Sequence, residues 1–357
     1  GLHDLREVIQ YVEGKNIEAE QKQMVIIKPD DRNEKVMDFS DVKGQAELTE
    51  AVMLAAAGGH NMLMIGEPGC GKTMVAQRIP TILPQMTEEE CLEVTKIYSI
   101  SGILENGHSL IKNRPFRAPH HNASLNALIG GGVNALPGEV SLAHNGVLFL
   151  DELAEFSRRT LDALRQPIED KRVCISRVNG THTFPSNFMF VTAMNPCPCG
   201  YYGTDDDKCH CSETAISNYM GKLSGPLLDR IDLHIEVKPV EYEKISSEEK
   251  GETSKEIKKR VDKARKIQLE RYKDLNIYSN GELTPKLIEK YCKIDETSKE
   301  LLRKAFEKLG LSGRAYSRIL KVARTIADLE NKEKIEEKHI AEAIQYRSLD
   351  KKYGDKF

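Results

Sequence analysis

The sequence of 357 residues predicts an α/β domain, with a parallel sheet between helices, followed by a small all-helical domain. Three short apolar runs, at residues 62–65, 147–150 and 188–193, have the length and composition of buried parallel strands. Segments with helical periodicity lie between them, for example residues 46–57 and 160–169. Strands that alternate with helices indicate a sheet that is covered on both faces.

The distribution of charged residues also divides the chain into two parts. Residues 1–240 carry a net formal charge of −9 and residues 241–357 a net charge of +6, which favours separate domains. Beyond Pro239 helical segments are predicted at residues 255–275, 285–292, 298–309, 314–330 and 336–345. We therefore expect a helical linker at 1–36, an α/β domain at 37–240 and a helical domain at 241–357. Because the chain starts with Gly1 rather than Met, we expect a further domain upstream of the linker.

Several classes of protein do not fit the composition. No apolar run approaches the ~18 residues that span a bilayer, and no signal peptide opens the chain, so we expect a cytoplasmic protein without a membrane partner. Eight cysteines in such a chain do not indicate a disulfide framework. Neither half has the dense basic footprint of a dedicated DNA-binding module, so any contact with nucleic acid must be local.

One segment matches the complete phosphate-binding motif G-x-x-x-x-G-K-[ST]. The predicted nucleotide-binding residues are Gly66, Glu67, Pro68, Gly69, Cys70, Gly71, Lys72 and Thr73. The glycines let backbone N–H groups face phosphate oxygens, Lys72 places a positive charge between the β- and γ-phosphates, and the Thr73 hydroxyl can ligate Mg²⁺. An apolar strand before the motif and a helix after it complete the required context. ATP and Mg²⁺ are the expected ligands.

The acidic pair Asp151-Glu152 directly follows the apolar run at 147–150. Two carboxylates at the carboxyl end of a parallel strand lie where ligands bind in α/β sheets. We expect Asp151 to hold Mg²⁺ through water and Glu152 to orient and deprotonate the attacking water. Without the phosphate-binding motif, the same pair would equally suit the first turn of a helix.

Four further segments resemble AAA+ ATPases. The segment Asp-Phe-Ser-Asp-Val-Lys-Gly-Gln, which contains Val42 and Gly44, resembles the one that packs against adenine. Asn195 ends a strand, like the sensor-1 residue that reads the γ-phosphate. Arg230 lies in a segment that looks like the arginine-finger segment of magnesium-chelatase and replicative-helicase ATPases. Arg314 opens a helix, as the sensor-2 arginine does. The resemblance implies that Arg230 reaches the neighbouring subunit's nucleotide, and it leaves open whether Arg314 acts within its own subunit or across the interface.

Longer stretches are similar to one family. The motifs RPFRAPHH at 114–121, NPCPCG at 195–200 and RILKVART at 318–325 resemble the ComM/YifB competence family of magnesium-chelatase-like AAA+ ATPases. The resemblance extends from about residue 5 to residue 353. It implies a hexameric motor that acts on DNA, single-stranded or branched, and drives branch migration of recombination intermediates during natural transformation. It also implies a Lon-protease-like domain before the ATPase.

Three alternative functions stay open. The first is a magnesium-chelatase-type ATPase that remodels another protein, which the 114–121 and 195–200 motifs fit less well. The second is the ATPase part of a Lon-like protease, although this sequence shows no convincing Ser/Lys catalytic pair. The third is a scaffold that does not hydrolyse ATP, which is disfavoured because every predicted catalytic position is filled.

Residues 170–184 predict a β-hairpin, because two strand-like runs flank the turn signal Asn179-Gly180. In the resembling family such a hairpin points at the central pore of the ring. Its candidate DNA contacts are Lys171, Arg172, Arg177 and His182, which carry or can carry positive charge. The alternative is a hairpin that only caps the sheet.

Four cysteines crowd into fifteen residues: Cys197, Cys199, Cys209 and Cys211. Their spacing suits a closed tetrahedral zinc site, although each pair is C-x-C rather than the usual C-x₂-C. Reduced thiols in a surface loop and redox chemistry are the alternatives.

Two other motifs invite a functional interpretation. Tyr201-Tyr202 looks like the aromatic pore loop of protein unfoldases, but it follows the predicted sensor residue instead of preceding the acidic pair. His120-His121 is not expected to bind metal, because adjacent side chains diverge, and the resemblance places it in a loop near the subunit interface.

Overall fold

The computed structural model describes residues 37–104, 110–132, 134–177, 180–203, 208–246, 250–275, 277–347 and 349. The predicted linker at 1–36 and the turn residue Asn179 lie outside these residues. The described residues belong to one compact unit that begins at Met37. Within them, no helix has both the length and the apolar character needed to cross a membrane.

In the described part of the chain, five parallel strands form the central sheet. The described strands are, in chain order, β1 (Met62–Gly66), β2 (Phe116–Arg117), β3 (Gly130–Gly131), β4 (Leu136–Pro137), β5 (Val147–Leu150), β6 (Arg172–Arg177), β7 (Gly180–Pro185), β8 (Met189–Met194) and β9 (Leu233–Val237). The sheet has the order β2-β5-β8-β1-β9, and every neighbouring pair in it is parallel. The predicted α/β class is therefore confirmed. The sequence carries no clear signal for β2, which has only two residues, or for β9, where His234 and Glu236 interrupt the apolar pattern.

The side chains of β1 pack alternately into the hydrophobic cores on the two faces of the sheet. Met62 and Met64 pack into the core on one face of the sheet, whereas Leu63 and Ile65 pack into the core on the other face. Successive strand residues point to opposite faces, and both faces are covered here, so the strand is apolar throughout. This explains why its sequence shows a continuous apolar run instead of an alternating one.

The register of the strands brings three loops together. Ile65 of β1 pairs with Met194 of β8, and Leu150 of β5 pairs with Thr192 of β8. All three strands have their carboxyl ends on the same side of the sheet. We call this end of the sheet the carboxyl edge. The phosphate-binding motif, the acidic pair and Asn195 follow these strands and therefore meet there.

Within the described residues, nine α-helices and two short 3-10 helices, Phe39–Asp41 and Leu153–Glu155, accompany the strands. The α-helices are α1 (Ala46–Gly58), α2 (Lys72–Ile82), α3 (Glu88–Ile100), α4 (Leu125–Ile129), α5 (Glu139–Leu142), α6 (Arg158–Ala163), α7 (Arg165–Asp170), α8 (Glu213–Met220) and α9 (Gly225–Leu228). The predicted helical segment at 160–169 is present except at Leu164, a turn residue that separates α6 from α7. Pro167 has no N–H, and in a continuous helix its ring would clash with the carbonyl of Ala163, where α6 ends.

The remaining described elements are helical. They are a 3-10 helix at Asn280–Glu282 and the α-helices α10 (Tyr242–Ser246), α11 (Ser254–Arg271), α12 (Pro285–Tyr291), α13 (Glu296–Leu309), α14 (Gly313–Leu329) and α15 (Glu337–Gln345). Side chains that precede α11, α13 and α14 set the first residue of each helix: Thr253, Asp295 and Ser312 each accept a hydrogen bond from a backbone N–H of the first turn. These caps move the three starts one or two residues ahead of the predicted ones.

Buried polar contacts hold α11 and α14 against α1. Gln268 Nε2 donates to the carbonyl of Ala57 at 3.1 Å, and the side chains of His60 and Thr325 share a 2.8 Å hydrogen bond. Asp232, just before β9, is buried and pairs with both Arg318 and His60. Burial raises the pKa of the Asp232 carboxyl, but Arg318 and His60 outweigh burial and hold it well below its usual range.

Candidate functional site

The loop that connects β1 to α2 surrounds the ammonium group of Lys72. Gly69 and Gly71 have φ angles of 80° and 91°, which residues with a Cβ rarely adopt. Lys72 Nζ donates to the carbonyl oxygens of Gly66 and Glu67, both at 2.8 Å. The ammonium group and the amino terminus of α2 therefore converge on one space, and both favour an anion there. We call residues 66–73 the phosphate loop.

Two side chains from other strands complete this space. Asn195, directly after β8, accepts a hydrogen bond from Lys72 Nζ at 3.3 Å through Oδ1. Thr73 Oγ1 donates a 2.5 Å hydrogen bond to Oδ2 of Asp151, directly after β5. Hydroxyl and carboxylate oxygens are the ligands that Mg²⁺ prefers, so Thr73 and Asp151 fit a magnesium ion beside the phosphates of a nucleotide.

Glu152 is held in an unusual conformation beside a histidine. Its backbone has φ 51° and ψ 48°, and its N–H donates to its neighbour Asp151 at 2.9 Å. Its carboxylate pairs with Nδ1 of His121 at 2.9 Å, and the His121 ring lies 4.0 Å from the ring of His120. His121 was not among the predicted site residues. The sequence offers no clear signal for this contact, because it depends on the pairing of the two-residue strand β2 with β5.

The segment before α1 contacts the phosphate loop through a glutamine. Val42 is buried, and Gly44 has φ 67°. The side-chain amide of Gln45 donates to the carbonyl of Cys70 at 3.0 Å and to that of Lys238 at 2.8 Å. Gln45 therefore joins this segment both to the phosphate loop and to the chain after β9. The sequence predicted this segment as part of the site through Val42 and Gly44, but not through Gln45.

Arg230 lies at the end of the sheet where the parallel strands begin, opposite the phosphate loop. We call this end of the sheet the amino edge. Its carbonyl accepts a 3.0 Å hydrogen bond from Asn61, the residue just before β1. The phosphate loop follows the other end of β1, about 13 Å away at about 3.3 Å per residue. The guanidinium of Arg230 pairs with Glu169 and donates to the carbonyl of Pro226 at 2.5 Å. Arg230 is thus remote from the phosphate loop of its own chain.

Arg314 lies at the same amino edge. Its Nη1 is 3.3 Å from Oδ2 of Asp229, and 59% of its side-chain surface is exposed. Arg318, one turn further along α14, donates to the carbonyl of Asp229 at 2.6 Å. The sequence left open which nucleotide Arg314 serves, and the fold places it beside the Arg230 segment, away from its own phosphate loop.

The predicted hairpin is present as β6 and β7, and its candidate DNA contacts lie on different faces. Arg177 pairs with Gly180 and Ile175 with His182, so Arg177 and His182 share the face that buries Val173 and Ile175. Arg172 lies on the opposite face. Residues 178 and 179, which connect the strands, are outside the described residues.

Lys171 directly precedes the hairpin, and its ammonium group contacts two side chains at the base of the hairpin. Its Nζ donates to Oδ1 of Asn187 at 2.7 Å and pairs with Glu282 at 3.3 Å. Lys171 is therefore a candidate DNA contact whose charge is already paired within the fold.

The four predicted metal ligands lie close together in the structure. We call them the cysteine cluster: Cys197, Cys199, Cys209 and Cys211. Their sulfur atoms all lie within 4.8 Å of one another. Three separations are 3.3, 3.8 and 3.7 Å. Four thiolates around a tetrahedral zinc ion at about 2.3 Å would be about 3.8 Å apart. The N–H of Gly200 donates to Cys197 Sγ at 3.3 Å, which is typical of backbone support for a thiolate ligand. The cluster can therefore bind a metal ion.

The phosphate loop follows an inner strand of a parallel sheet. Helices cover the sheet, and a helical domain follows it in the chain. This is the arrangement of AAA+ P-loop proteins. Comparison with known families agrees with this class. The chain belongs to the family described as magnesium chelatase, subunit ChlI, which residues 38–245 match. Residues 251–347 match the carboxy-terminal domain of the same subunit.

Individual relatives confirm the resemblance to ComM and YifB proteins. The chain is 48% identical over 315 residues to competence protein ComM of Haemophilus influenzae, which is 88% of this chain and 60% of that protein. It is 46% identical over 319 residues to YifB of Salmonella typhimurium and 46% identical over 316 residues to YifB of Escherichia coli. Each match covers 88% of this chain and 61% of the relative. The chain thus spans about three fifths of the relatives' length.

Proposed function

We propose that this chain is the ATPase part of a ring-forming, hexameric motor that hydrolyses ATP between identical subunits and moves DNA. The observation that carries the proposal is the position of Arg230 and Arg314 at the amino edge, opposite their own phosphate loop. Negative charge grows on the γ-phosphate during hydrolysis, and an arginine that reaches it across an interface stabilises that charge. In a ring, the amino edge of each subunit can face the carboxyl edge of the next.

Each residue around the phosphate loop then has a role. Lys72 and the loop N–H groups bind the phosphates, and Thr73 and Asp151 hold Mg²⁺, which neutralises charge on the phosphate oxygens. Glu152 takes the proton of the attacking water, and His121 holds the Glu152 carboxylate in place. Asn195, which contacts Lys72, senses the γ-phosphate. Val42 and Gly44 belong to the segment that would contact the adenine.

The proposed substrate is DNA, single-stranded or branched, at recombination intermediates. The name of the Haemophilus relative supports a role in competence, and the hairpin formed by β6 and β7 offers Arg172, Arg177 and His182 as exposed groups for phosphate contacts. The family description, which names a chelatase subunit, supports the alternative that the motor remodels a protein.

We further propose that the cysteine cluster holds zinc. Three of its sulfur separations, 3.3 to 3.8 Å, approach those of a tetrahedral thiolate site, and a closed set of four thiolates suits a structural metal ion rather than a catalytic one. Elemental analysis of freshly reduced protein should find about one zinc per chain. Protein without bound metal would contradict this assignment.

One experiment separates the candidate motors. The ATPase rate should be measured with single-stranded DNA, forked DNA, four-way junctions and an unfolded protein at equal concentrations. A DNA motor predicts stimulation by one or more DNA substrates and none by the protein. Stimulation by unfolded protein alone would favour remodelling, and a rate of zero under all conditions would contradict an ATPase.

A further inference from the structure

The cysteine cluster lies against the nucleotide site. Cys197 is fully buried and follows Asn195 by two residues, so one short segment supplies both the residue that contacts Lys72 and the first thiol. Tyr219 packs into the same core as the cluster. A shift of Cys197 can therefore reach Asn195 through the two peptide bonds between them.

A second contact joins the cluster directly to the phosphate loop. Gly200 has φ 90°, and a Cβ at this position would lie 2.6 Å from Cδ and 2.7 Å from Cγ of Pro68. The ring of Pro68 thus packs onto the bare backbone of Gly200, where no other residue type fits. The same Gly200 donates its N–H to Cys197 Sγ and to the Cys197 carbonyl, at 3.3 and 3.0 Å.

We propose that metal in the cysteine cluster sets the affinity of the phosphate loop for ATP, because Gly200 and Asn195 transmit the geometry of the cluster to Pro68 and Lys72. This inference rests on the proposals that the cluster holds zinc and that the loop binds ATP. It goes further, since a metal that only braced a surface loop would leave nucleotide affinity unchanged. The affinity of the motor for ATP then depends on the availability of the metal.

The coupling has a thermodynamic consequence. If zinc strengthens nucleotide binding by some factor, nucleotide must strengthen zinc binding by the same factor. For coupled sites this factor is commonly between about 5 and 150. Two independent measurements on the intact protein must therefore agree.

The test uses the whole chain and the analogue ATPγS with Mg²⁺. The affinity for ATPγS should be at least about fivefold lower in protein stripped by a chelator, and zinc should restore it. In competition with a chromogenic chelator, the affinity for zinc should rise by the same factor when ATPγS is present. Replacement of Cys209 by serine should reproduce the stripped protein, whereas Cys174→Ser, at an exposed cysteine of the hairpin, should not.

Gly200→Ala examines the contact with Pro68 while all four thiols remain. It should keep its zinc and bind ATPγS at least about fivefold more weakly. Gly102→Ala is the matched control, because Gly102 also has positive φ, 70°, but no atom of the described residues lies within 4 Å of a new Cβ there. Equal ATPγS affinity with and without zinc, or normal affinity in Gly200→Ala, would overturn the inference. Protein that never contains metal would overturn the zinc proposal, and protein that never binds ATPγS would overturn the ATPase.

Discussion

Nδ1 of His121 lies 2.9 Å from the carboxylate of Glu152, although 31 positions separate the two residues in the chain. The strand order explains the contact, because β2, which precedes the histidine, pairs with β5, which precedes the glutamate. A general base that a second side chain orients is a common feature of hydrolytic sites. We therefore treat His121 as a positioning residue for Glu152.

His121→Ala should lower kcat by between about 10- and 100-fold, because a misplaced base loses alignment with the attacking water. The KM for ATP should change little, since His121 does not contact the phosphate loop. His121→Asn, which keeps a donor near the carboxylate, should recover part of the rate. His120→Ala is the control and should keep most of it. A normal kcat in His121→Ala would remove the residue from the mechanism.

Glu152→Gln should bind ATP normally and hydrolyse it at least about 10²-fold more slowly, because an amide cannot take the proton of the water. Lys72→Ala should instead weaken ATP binding, because the loop loses its buried ammonium group. Equilibrium binding of ATPγS and steady-state hydrolysis distinguish the two effects. Wild-type hydrolysis by Glu152→Gln would show that another group activates the water.

Arg230→Ala and Glu152→Gln should each be nearly inactive alone, and a mixture of them should regain activity. Some interfaces in mixed rings pair an intact Glu152 with an intact Arg230 from the neighbour, and an arginine of this kind contributes about 10³-fold or more. Arg314→Ala should behave in the same way, because Arg314 lies at the same edge. Specific activity should also rise with protein concentration. A fully active monomer, or mixed rings without recovery, would rule out a role for Arg230 across the interface.

Replacement of Arg172 and Arg177 together should weaken DNA binding and reduce its salt dependence, because fewer counterions are released from phosphates. Basal ATPase activity should persist. The two single variants then show which face of the hairpin meets DNA, since the residues lie on opposite faces. Arg158→Ala, at an arginine with 71% of its side chain exposed in α6, is the control. If the double variant keeps the DNA affinity of the wild type and the same dependence on salt concentration, the hairpin does not contact DNA and has only a structural role.

Asp232→Asn should destabilise the fold by about 3–5 kcal/mol at neutral pH, because it leaves Arg318 without its buried partner. The folded-state pKa of Asp232 lies below the unfolded value, so its stabilisation is present above about pH 4 and is lost as pH falls further. Denaturant unfolding of the variant and the wild type should therefore converge in acid. Asp229→Asn, whose carboxylate pairs with exposed Arg314, should cost no more than about 1 kcal/mol. A constant difference between Asp232→Asn and wild type at all pH values would contradict this account.

Much of the fold and of the nucleotide site could be predicted because their signals are local. The phosphate loop is one continuous motif, β1 and β5 are unbroken apolar runs, and Asp151 and Glu152 follow β5 directly. Parallel strands end at a common edge, so the meeting of these loops followed from the fold class. The predicted helical segment at 160–169 is interrupted at Leu164 for an equally local reason, since Pro167 cannot donate a hydrogen bond that would continue α6.

The sequence by itself determined the α/β class, the helical second part, the residues of the phosphate loop and the acidic pair. Only the tertiary structure decided which edge Arg230 and Arg314 occupy, because that depends on how α14 packs beside the start of β9. It also decided that His121 meets Glu152 and that Gly200 supports the phosphate loop. These contacts join residues that are distant in the chain, and strand order and packing, which no local periodicity encodes, bring them together.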